Sequence, residues 1–116
     1  MYSSFKALKD ERKIGLGMSY KAKFHSEEIE QLFEAILKLE DVEECYKFFE
    51  DLCTIKEIQS LSQRFQVACL LEENKTYSEI EKTTGASTAT ISRINKCLLY
   101  GAEGYKLILE RMKQDA

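Results

Sequence analysis

A helix-stop signal between two helix-start signals, in the C-terminal half of this chain, constrains the fold more than any other feature. Thr76 and Glu79 form a T-x-x-E capping box, in which a hydroxyl and a carboxylate satisfy the free N–H groups at the start of a helix. Gly85 allows the left-handed backbone that ends this helix, and Ser87 or Thr88 can cap the next one. This order indicates a helix-turn-helix, the motif that places its second helix in the major groove of DNA.

The rest of the chain also has helical periodicity. The 116 residues include no proline and five glycines, so little interrupts a helix. Apolar residues recur three and four positions apart, which is the spacing of one helix face. We therefore predict an all-α protein of six helices, in which the apolar stripe of the long third helix runs through Ile58, Leu61, Phe65, Ala68, Cys69 and Leu71. Ser26 opens the first predicted helix, and an Asp41–Glu44 capping box opens the second. A Thr54–Glu57 box opens the third, over residues 55–73. The helix-turn-helix follows over residues 76–100, and the last helix is predicted over residues 102–112.

Residues 1–24 differ from the rest because they show no clear periodicity. Ile14-Gly-Leu-Gly17 indicates a flexible break, and Met18 directly after it is an alternative start of the protein. We predict a flexible N-terminal arm or extension over residues 1–24. A single helical domain with a core of its own follows over residues 25–116.

The sequence disfavours a membrane, a secreted or a metal-binding protein. No apolar run approaches the roughly 20 residues of a membrane span, and the charged N-terminus lacks the apolar core of a secretion signal. The four cysteines are far apart and form no C-x-x-C pair, which disfavours a zinc site or a disulfide framework. We predict buried, reduced thiols, no metal or other cofactor, and a cytoplasmic location.

Charge is unevenly distributed along the chain. The net charge is −3, which is unfavourable for a protein that binds DNA. Residues 26–51 contain ten acidic and two basic residues, a net −8, whereas residues 85–116 contain five basic and three acidic residues, a net +2. A dimer could hold its acidic part away from DNA and present its basic part. The small basic excess predicts few phosphate contacts and weak non-specific binding.

The aromatic residues of the second helix suggest that one chain does not complete the core. Tyr46, Phe48 and Phe49 cannot all face one way on a helix. Two interpretations stay open: a well-filled monomer core, or a dimer that shares its core.

The run LCTIKEIQSLSQRFQVACLLEENKTYSEIEKTTGASTATISRINKCL, from Leu52 to Leu98, resembles the Trp repressor family, and most strongly its small bacterial YerC/YecD branch. The likeness covers about residues 26–112, and its most specific piece is Gly85-Ala-Ser-Thr-Ala-Thr-Ile-Ser-Arg93. It implies an all-α, intertwined homodimer. The two reading helices of such a dimer lie about one DNA turn apart, at roughly 34–36 Å, facing a near-palindromic operator.

The resemblance also implies a set of DNA-contacting residues. Thr88 and Ala89 stand where the family contacts base edges, and Ser92 stands where a threonine does so. Two basic residues of the family's first motif helix are replaced by Ser78 and Glu81, which removes positive charge near DNA. An ordinary solvated helix face is the alternative interpretation. The predicted DNA-binding residues are Thr76, Ser87, Thr88, Ala89, Thr90, Ser92, Arg93 and Lys96. Of these, we expect base-edge contacts from Thr88, Ala89, Ser92 and Arg93. We expect phosphate contacts from the Thr76 hydroxyl, the backbone near Ser87 and Lys96.

The family's tryptophan pocket is only partly matched. Two pocket arginines have counterparts in Arg64 and Arg93, but Ile94 replaces a glycine and Cys97 replaces a serine. Overpacking of this kind costs about 1–3 kcal/mol, so we expect that Ile94 fills the pocket and that L-tryptophan is not a ligand. Arg64 and Arg93 could hold a different small effector, although Arg64 is expected to pair with a nearby carboxylate instead.

An enzyme is not indicated, since the chain has no phosphate-binding glycine loop and no nucleophile motif. The favoured prediction is a sequence-specific transcriptional regulator, most simply a repressor, that binds double-stranded DNA as a homodimer. Two alternatives stay open. One is a helical protein-interaction module with a vestigial helix-turn-helix, which the net negative charge favours. The other is a regulator gated by another small effector.

Overall fold

The computed structural model describes residues 20–115, which form six α-helices and no strand. This confirms the predicted all-α, six-helix fold. Most of the predicted N-terminal arm and the question of Met18 lie outside the described residues. The helices are α1 (Glu27–Ile36), α2 (Val42–Leu52), α3 (Ile55–Glu72), α4 (Tyr77–Thr84), α5 (Thr88–Tyr100) and α6 (Gly104–Gln114).

Most of the predicted helix ends are confirmed by their hydrogen bonds. At the start of α1, Ser26 Oγ accepts a hydrogen bond from the Ile29 amide at 3.1 Å. The Thr54–Glu57 capping box at the start of α3 has both of its reciprocal hydrogen bonds. After α3, Asn74 takes the left-handed conformation with φ of 63°. These caps satisfy N–H and C=O groups that a helix leaves unpaired at its ends, and so they fix where each helix begins and stops.

Two predicted helix starts need correction. Asp41 accepts from the Glu44 amide at 2.8 Å, but the Glu44 carboxylate accepts from the amide of Glu40 rather than of Asp41. The second hydrogen bond of the capping box at α2 therefore comes from the residue before Asp41. The last helix begins at Gly104 instead of residue 102, because Glu103 is left-handed with φ of 69° and cannot belong to a right-handed helix.

The contacts divide the described residues into two compact units, the first ending at Phe48 and the second beginning at Phe49. In the described part of the first unit, α1 and the portion of α2 up to Phe48 have apolar faces but no fully buried side chain. The predicted single domain over residues 25–116 is not tested by this division and stays a prediction.

The second unit has its own apolar core. Helix α3 packs against α4, α5 and α6, and its fully buried residues are Val67 and Ala68. Val67 was absent from the predicted stripe, and Leu61, which belonged to it, is 47% exposed. The difference arises because α4 and α5 both lie on the face of α3 that contains Val67. The buried cluster consists of Val67, Ala68, Ile80, Ala86, Ile91 and Ile94.

The cysteines are free, as predicted, but they are not all buried. Cys45, Cys53 and Cys69 are half-buried, whereas Cys97 is exposed. Cys97 lies beside the buried stripe of α5, which runs through Ile91, Ile94 and Leu98. Among residues 20–115, no helix combines the length and apolar character of a membrane span, and no group of His, Cys, Asp and Glu side chains is arranged to hold a metal ion.

Candidate nucleic-acid interface

The turn between α4 and α5 consists of residues 85–87 and is held by the backbone of α4. Gly85 ends α4 in the left-handed conformation with φ of 73°, and its amide donates to the Glu81 carbonyl at 2.9 Å. Ala86 is buried in the core, and its amide donates to Thr84 Oγ1 at 3.1 Å. The middle of the turn is therefore anchored inside the protein, which fixes the direction in which α5 leaves it.

Helix α3 adds a second support that the sequence did not predict. The Gln63 side-chain amide donates to the Thr84 carbonyl at 3.1 Å, and the Thr84 hydroxyl donates to the Ile80 carbonyl at 2.7 Å. Gln63 and Thr84 are 21 residues apart, so no local pattern relates them. The Gln63 contact binds the end of α4 to α3 and satisfies the Thr84 carbonyl, which the helix end leaves free.

The start of α5 is capped by Ser87, one of the two residues predicted for this role. Its Oγ accepts from the Thr90 amide at 3.2 Å and donates to Thr90 Oγ1 at 3.1 Å. Thr90 is half-buried. The Ser87 hydroxyl is therefore already occupied within the protein, which leaves the backbone at Ser87 as its means of contacting a phosphate.

The predicted reading residues lie on the outer face of α5. Thr88, Ala89, Arg93 and Lys96 are exposed, and Ser92 is half-buried. The opposite face is buried in the core through Ile91 at 0%, Ile94 at 3% and Leu98 at 7% exposure. Since residues three and four apart share one side of a helix, this burial fixes which side of α5 faces outward.

Thr76 lies at the start of α4 and is exposed. Its Oγ1 accepts from the Glu79 amide at 3.2 Å, and the Glu79 carboxylate accepts from the Thr76 amide at 2.8 Å, which confirms the predicted capping box. The hydrogen bond from the Thr76 backbone is the main reason why the pKa of Glu79 lies below its ordinary value. The Thr76 side chain also lowers the pKa of Glu79 through a hydrogen bond, so this hydroxyl belongs to the capping box.

One contact at the interface joins the two motif helices directly. The Thr88 hydroxyl, at the first position of α5, donates to Glu81 Oε1 on α4. The sequence analysis treated Glu81 as a lost positive charge and did not relate it to Thr88. A signal was present, because Glu81 lies one helical turn before the helix-ending Gly85 and Thr88 lies three residues after it.

The two arginines of the possible effector pocket are both exposed. Arg64 Nε donates to the Ser60 carbonyl of its own helix at 3.5 Å. Among residues 20–115, no carboxylate forms the ion pair predicted for Arg64. That part of the prediction is wrong.

The neighbourhood of Arg64 includes groups from two other helices. Burial raises the pKa of the Tyr105 phenol, the Cys97 thiol adds to this effect, and the Arg64 charge opposes it. Tyr105 also packs against the buried cluster that contains Ile94. Ile94 is therefore buried in the cluster against which Tyr105 packs, and Arg64, which the resemblance assigns to a ligand pocket, acts on the same tyrosine.

Comparisons with known proteins agree on the class of fold. The model of the family described as Trp repressor protein matches residues 27–113. The Bacillus subtilis (strain 168) protein YerC, described as an uncharacterized protein, is 58% identical over 92 residues, covering 79% of this chain and 88% of YerC.

Two solved structures have the same fold. A Staphylococcus aureus protein provisionally described as a Trp repressor has a TM-score of 0.75 and 52% identity, over 84% of this chain and 96% of that one. A TrpR-like protein from Eubacterium eligens ATCC 27750 also has a TM-score of 0.75, with 57% identity over 78% of this chain and 94% of its own. The fold and the motif define a helix-turn-helix protein, and the chain belongs to the Trp repressor family. This family is regulatory and not enzymatic.

Proposed function

We propose that this protein is a sequence-specific DNA-binding transcriptional regulator, which reads the major groove with the helix that begins at Thr88. The observation that carries the proposal is the position of α5, whose inner face is buried while Thr88, Ala89 and Arg93 stay accessible at its leading end. A helix presented in this way can enter the groove with its N-terminal residues against base edges. We infer repression from the description of the Staphylococcus aureus relative as a Trp repressor, and a cytoplasmic location from the need to reach DNA.

The proposed contacts divide into two kinds. Short side chains such as Ala89 and Ser92 suit thymine methyl groups better than bidentate recognition of guanine, and Thr88 suits water-bridged contacts. Arg93 can reach base edges or phosphates. The backbone at Ser87, the Thr76 hydroxyl and Lys96 would hold phosphates, together with the half-buried Thr90 that orients Ser87. We expect a shallow salt dependence because few of these groups carry positive charge.

We propose that the active form is a homodimer. In the first unit Val42 and Tyr46 of α2 are 71% and 74% exposed, and Leu37, directly after the end of α1, is 82% exposed. In the second unit Leu107 and Met112 of α6 are 53% and 51% exposed. Covering such surfaces with a second copy would remove apolar area from water and would supply two reading helices for a near-palindromic site.

The decisive experiment replaces Thr88 with Asp and Arg93 with Ala in one protein. The expected result is loss of detectable band shift on a selected operator, because a carboxylate then meets base edges and a cation is absent. Light scattering and circular dichroism should show the same dimer and the same helix content as in the unmodified protein.

A matched control introduces the same change of two charge units on α6, with Arg111→Ala and Gln114→Asp. It should retain operator binding apart from a small general weakening. If the interface variant binds as well as the control, the proposed site is wrong. If the unmodified protein has no affinity for random duplex even at low salt, the chain is instead a protein-interaction module with a vestigial motif.

We further propose that L-tryptophan does not gate this protein. Ile94 is 3% exposed and belongs to the buried cluster, against which Tyr105 packs. A flat ring could enter only by displacing these side chains. Calorimetric titration with L-tryptophan should show no heat of binding at micromolar concentrations, and micromolar affinity would contradict the proposal. A different effector near Arg64 and Arg93 remains compatible with the exposed guanidinium groups.

A further inference from the structure

We infer that Glu81 determines sequence specificity at this site. With Thr88 it forms a surface that only accepts hydrogen bonds. Such a surface selects a base with an amino group, and it prefers cytosine to adenine. The inference rests on the proposed function, since it names the base that the DNA-reading surface prefers. It depends on the hydrogen bond from the Thr88 hydroxyl to the Glu81 carboxylate, which crosses the turn of the motif.

The first step is a count of protons at the contact. A threonine hydroxyl has one proton to donate, and Thr88 donates it to Glu81 Oε1. What remains on Thr88 Oγ1 is acceptor capacity. An ionised carboxylate is also acceptor-only, with lone pairs to spare on both oxygens. The pair therefore presents several acceptors and no donor to whatever approaches it.

The second step is the placement of the pair. Glu81 and Thr88 are both exposed, and Thr88 occupies the first position of the helix that would enter the groove. The Glu81 carbonyl accepts from the Gly85 amide at 2.9 Å, so the backbone of Glu81 is bonded to the anchored turn. Among the described residues, no lysine or arginine forms an ion pair with Glu81. Its charge is thus available to a ligand in a fixed position.

The third step is the match to base edges in the major groove. Guanine presents the acceptors N7 and O6, and thymine presents the acceptor O4 with a methyl group, so both place acceptors against the Glu81–Thr88 pair. Cytosine presents its N4 amino group, which donates to a carboxylate. Adenine presents an N6 amino group beside the acceptor N7, and therefore matches less well. A carboxylate also repels phosphate, so the DNA backbone should stay away from Glu81.

The test is selection of bound duplexes from a random pool at low salt, with the unmodified protein and with Glu81→Gln. The unmodified protein should enrich cytosine at one position of each half-site by about ten- to hundredfold over guanine or thymine. Glutamine offers a donor beside an acceptor and pairs with the N7 and N6 of adenine. The Glu81→Gln protein should therefore change the preference at that position from cytosine to adenine, and leave the other positions unchanged.

Two further variants separate specificity from charge and from folding. Glu110→Gln makes the same charge change on the exposed surface of α6 and should keep the cytosine preference. Thr88→Val removes the hydroxyl that orients Glu81 and should weaken the cytosine preference. This variant provides a second test of the inference if Glu81→Gln lowers the helix content. If the unmodified protein enriches no sequence, the proposed function fails. If it enriches a site and Glu81→Gln enriches the same site, this inference alone fails.

Discussion

Helices α1 and α5 are both amphipathic, but the structure uses their apolar faces differently. The stripe of α5 is buried through Ile91, Ile94 and Leu98. On α1 Phe33 is 49% exposed, and Leu37, directly after the end of this helix, is 82% exposed. Neither α1 nor α2 has a fully buried residue, whereas the buried residues of the described range 20–115 all lie between Val67 and Leu109 in the second unit.

The difference shows what an amphipathic pattern can and cannot predict. The spacing of apolar residues predicts which side of a helix is covered, because side chains three and four apart share a face. It does not predict what covers that side. For α5 the cover is α3 and α4 of the same chain. For α1 and α2 we propose a second copy of the chain, in keeping with their exposed apolar surface.

The largest expected effect is the loss of a core side chain in the second unit. Ile80 has 0% exposure and belongs to the buried cluster. Ile80→Ala removes its methyl groups and leaves a cavity, and such substitutions cost about 2–5 kcal/mol in the free energy of unfolding. Urea denaturation at one fixed protein concentration measures this loss, since the stability of a dimer depends on concentration.

The matched substitution in the first unit is Leu37→Ala. Leu37 is 82% exposed, so the change should cost less than about 0.5 kcal/mol within one chain. If Leu37 contacts a second copy, the same change should instead weaken dimerisation, and the apparent loss of stability should grow on dilution. Equal losses for Ile80→Ala and Leu37→Ala at all concentrations would contradict the contrast between the units.

The next effect comes from the turn that ties α4 and α5 to the core. Gly85→Ala meets no atom within 4 Å, but the position has φ of +73°. A side chain in the left-handed region costs about 1–2 kcal/mol, and relaxation of the turn should redirect α5. We expect this loss of stability in urea together with weaker operator binding.

Gly104→Ala is the control for Gly85→Ala. It also meets no atom within 4 Å, its φ is ordinary, and it is the first residue of α6. Because alanine favours helix more than glycine does, this change should be neutral or stabilise by up to about 1 kcal/mol. A similar destabilisation by both variants would mean that the conformation of Gly85 does not matter.

Local signals allowed the motif to be predicted from the sequence, and non-local contacts account for what was missed. The Thr76–Glu79 box, Gly85 and the Ser87 cap are interactions over a few residues, and each is confirmed. The contact of Gln63 with Thr84 spans 21 residues and depends on how α3 crosses α4. No periodicity could predict it.

The contact between Glu81 and Thr88 lies between these cases. It spans seven residues and crosses the turn, so it depends on the angle between two helices as well as on spacing. The same limit explains Val67, whose burial is decided by the direction from which α4 and α5 approach α3. The roles of the DNA-reading residues stay predictions, because a folded chain alone shows their exposure and not their ligand.

The smallest expected effect concerns the helix caps of the second unit in acid. The pKa of Glu79 and the pKa of Glu57 are lowered, mainly because each carboxylate accepts a hydrogen bond from the backbone amide of the capping threonine. A carboxyl group with a lower pKa in the folded state stabilises the fold fully above its unfolded pKa of about 4.3, and this contribution is lost as the pH falls through the folded value. Stability should therefore decline below about pH 4.3 partly through these two groups.

Glutamine at both positions preserves the return hydrogen bond of a capping box but cannot ionise. Glu57→Gln combined with Glu79→Gln should therefore be slightly less stable than the unmodified protein at pH 7, and the two proteins should converge as the pH falls through the folded pKa of the carboxylates. Urea midpoints measured from pH 7 to pH 3 test this. A constant difference across that range would mean that the caps act through hydrogen-bond geometry alone, and that ionisation contributes nothing to the stability of α3 and α4.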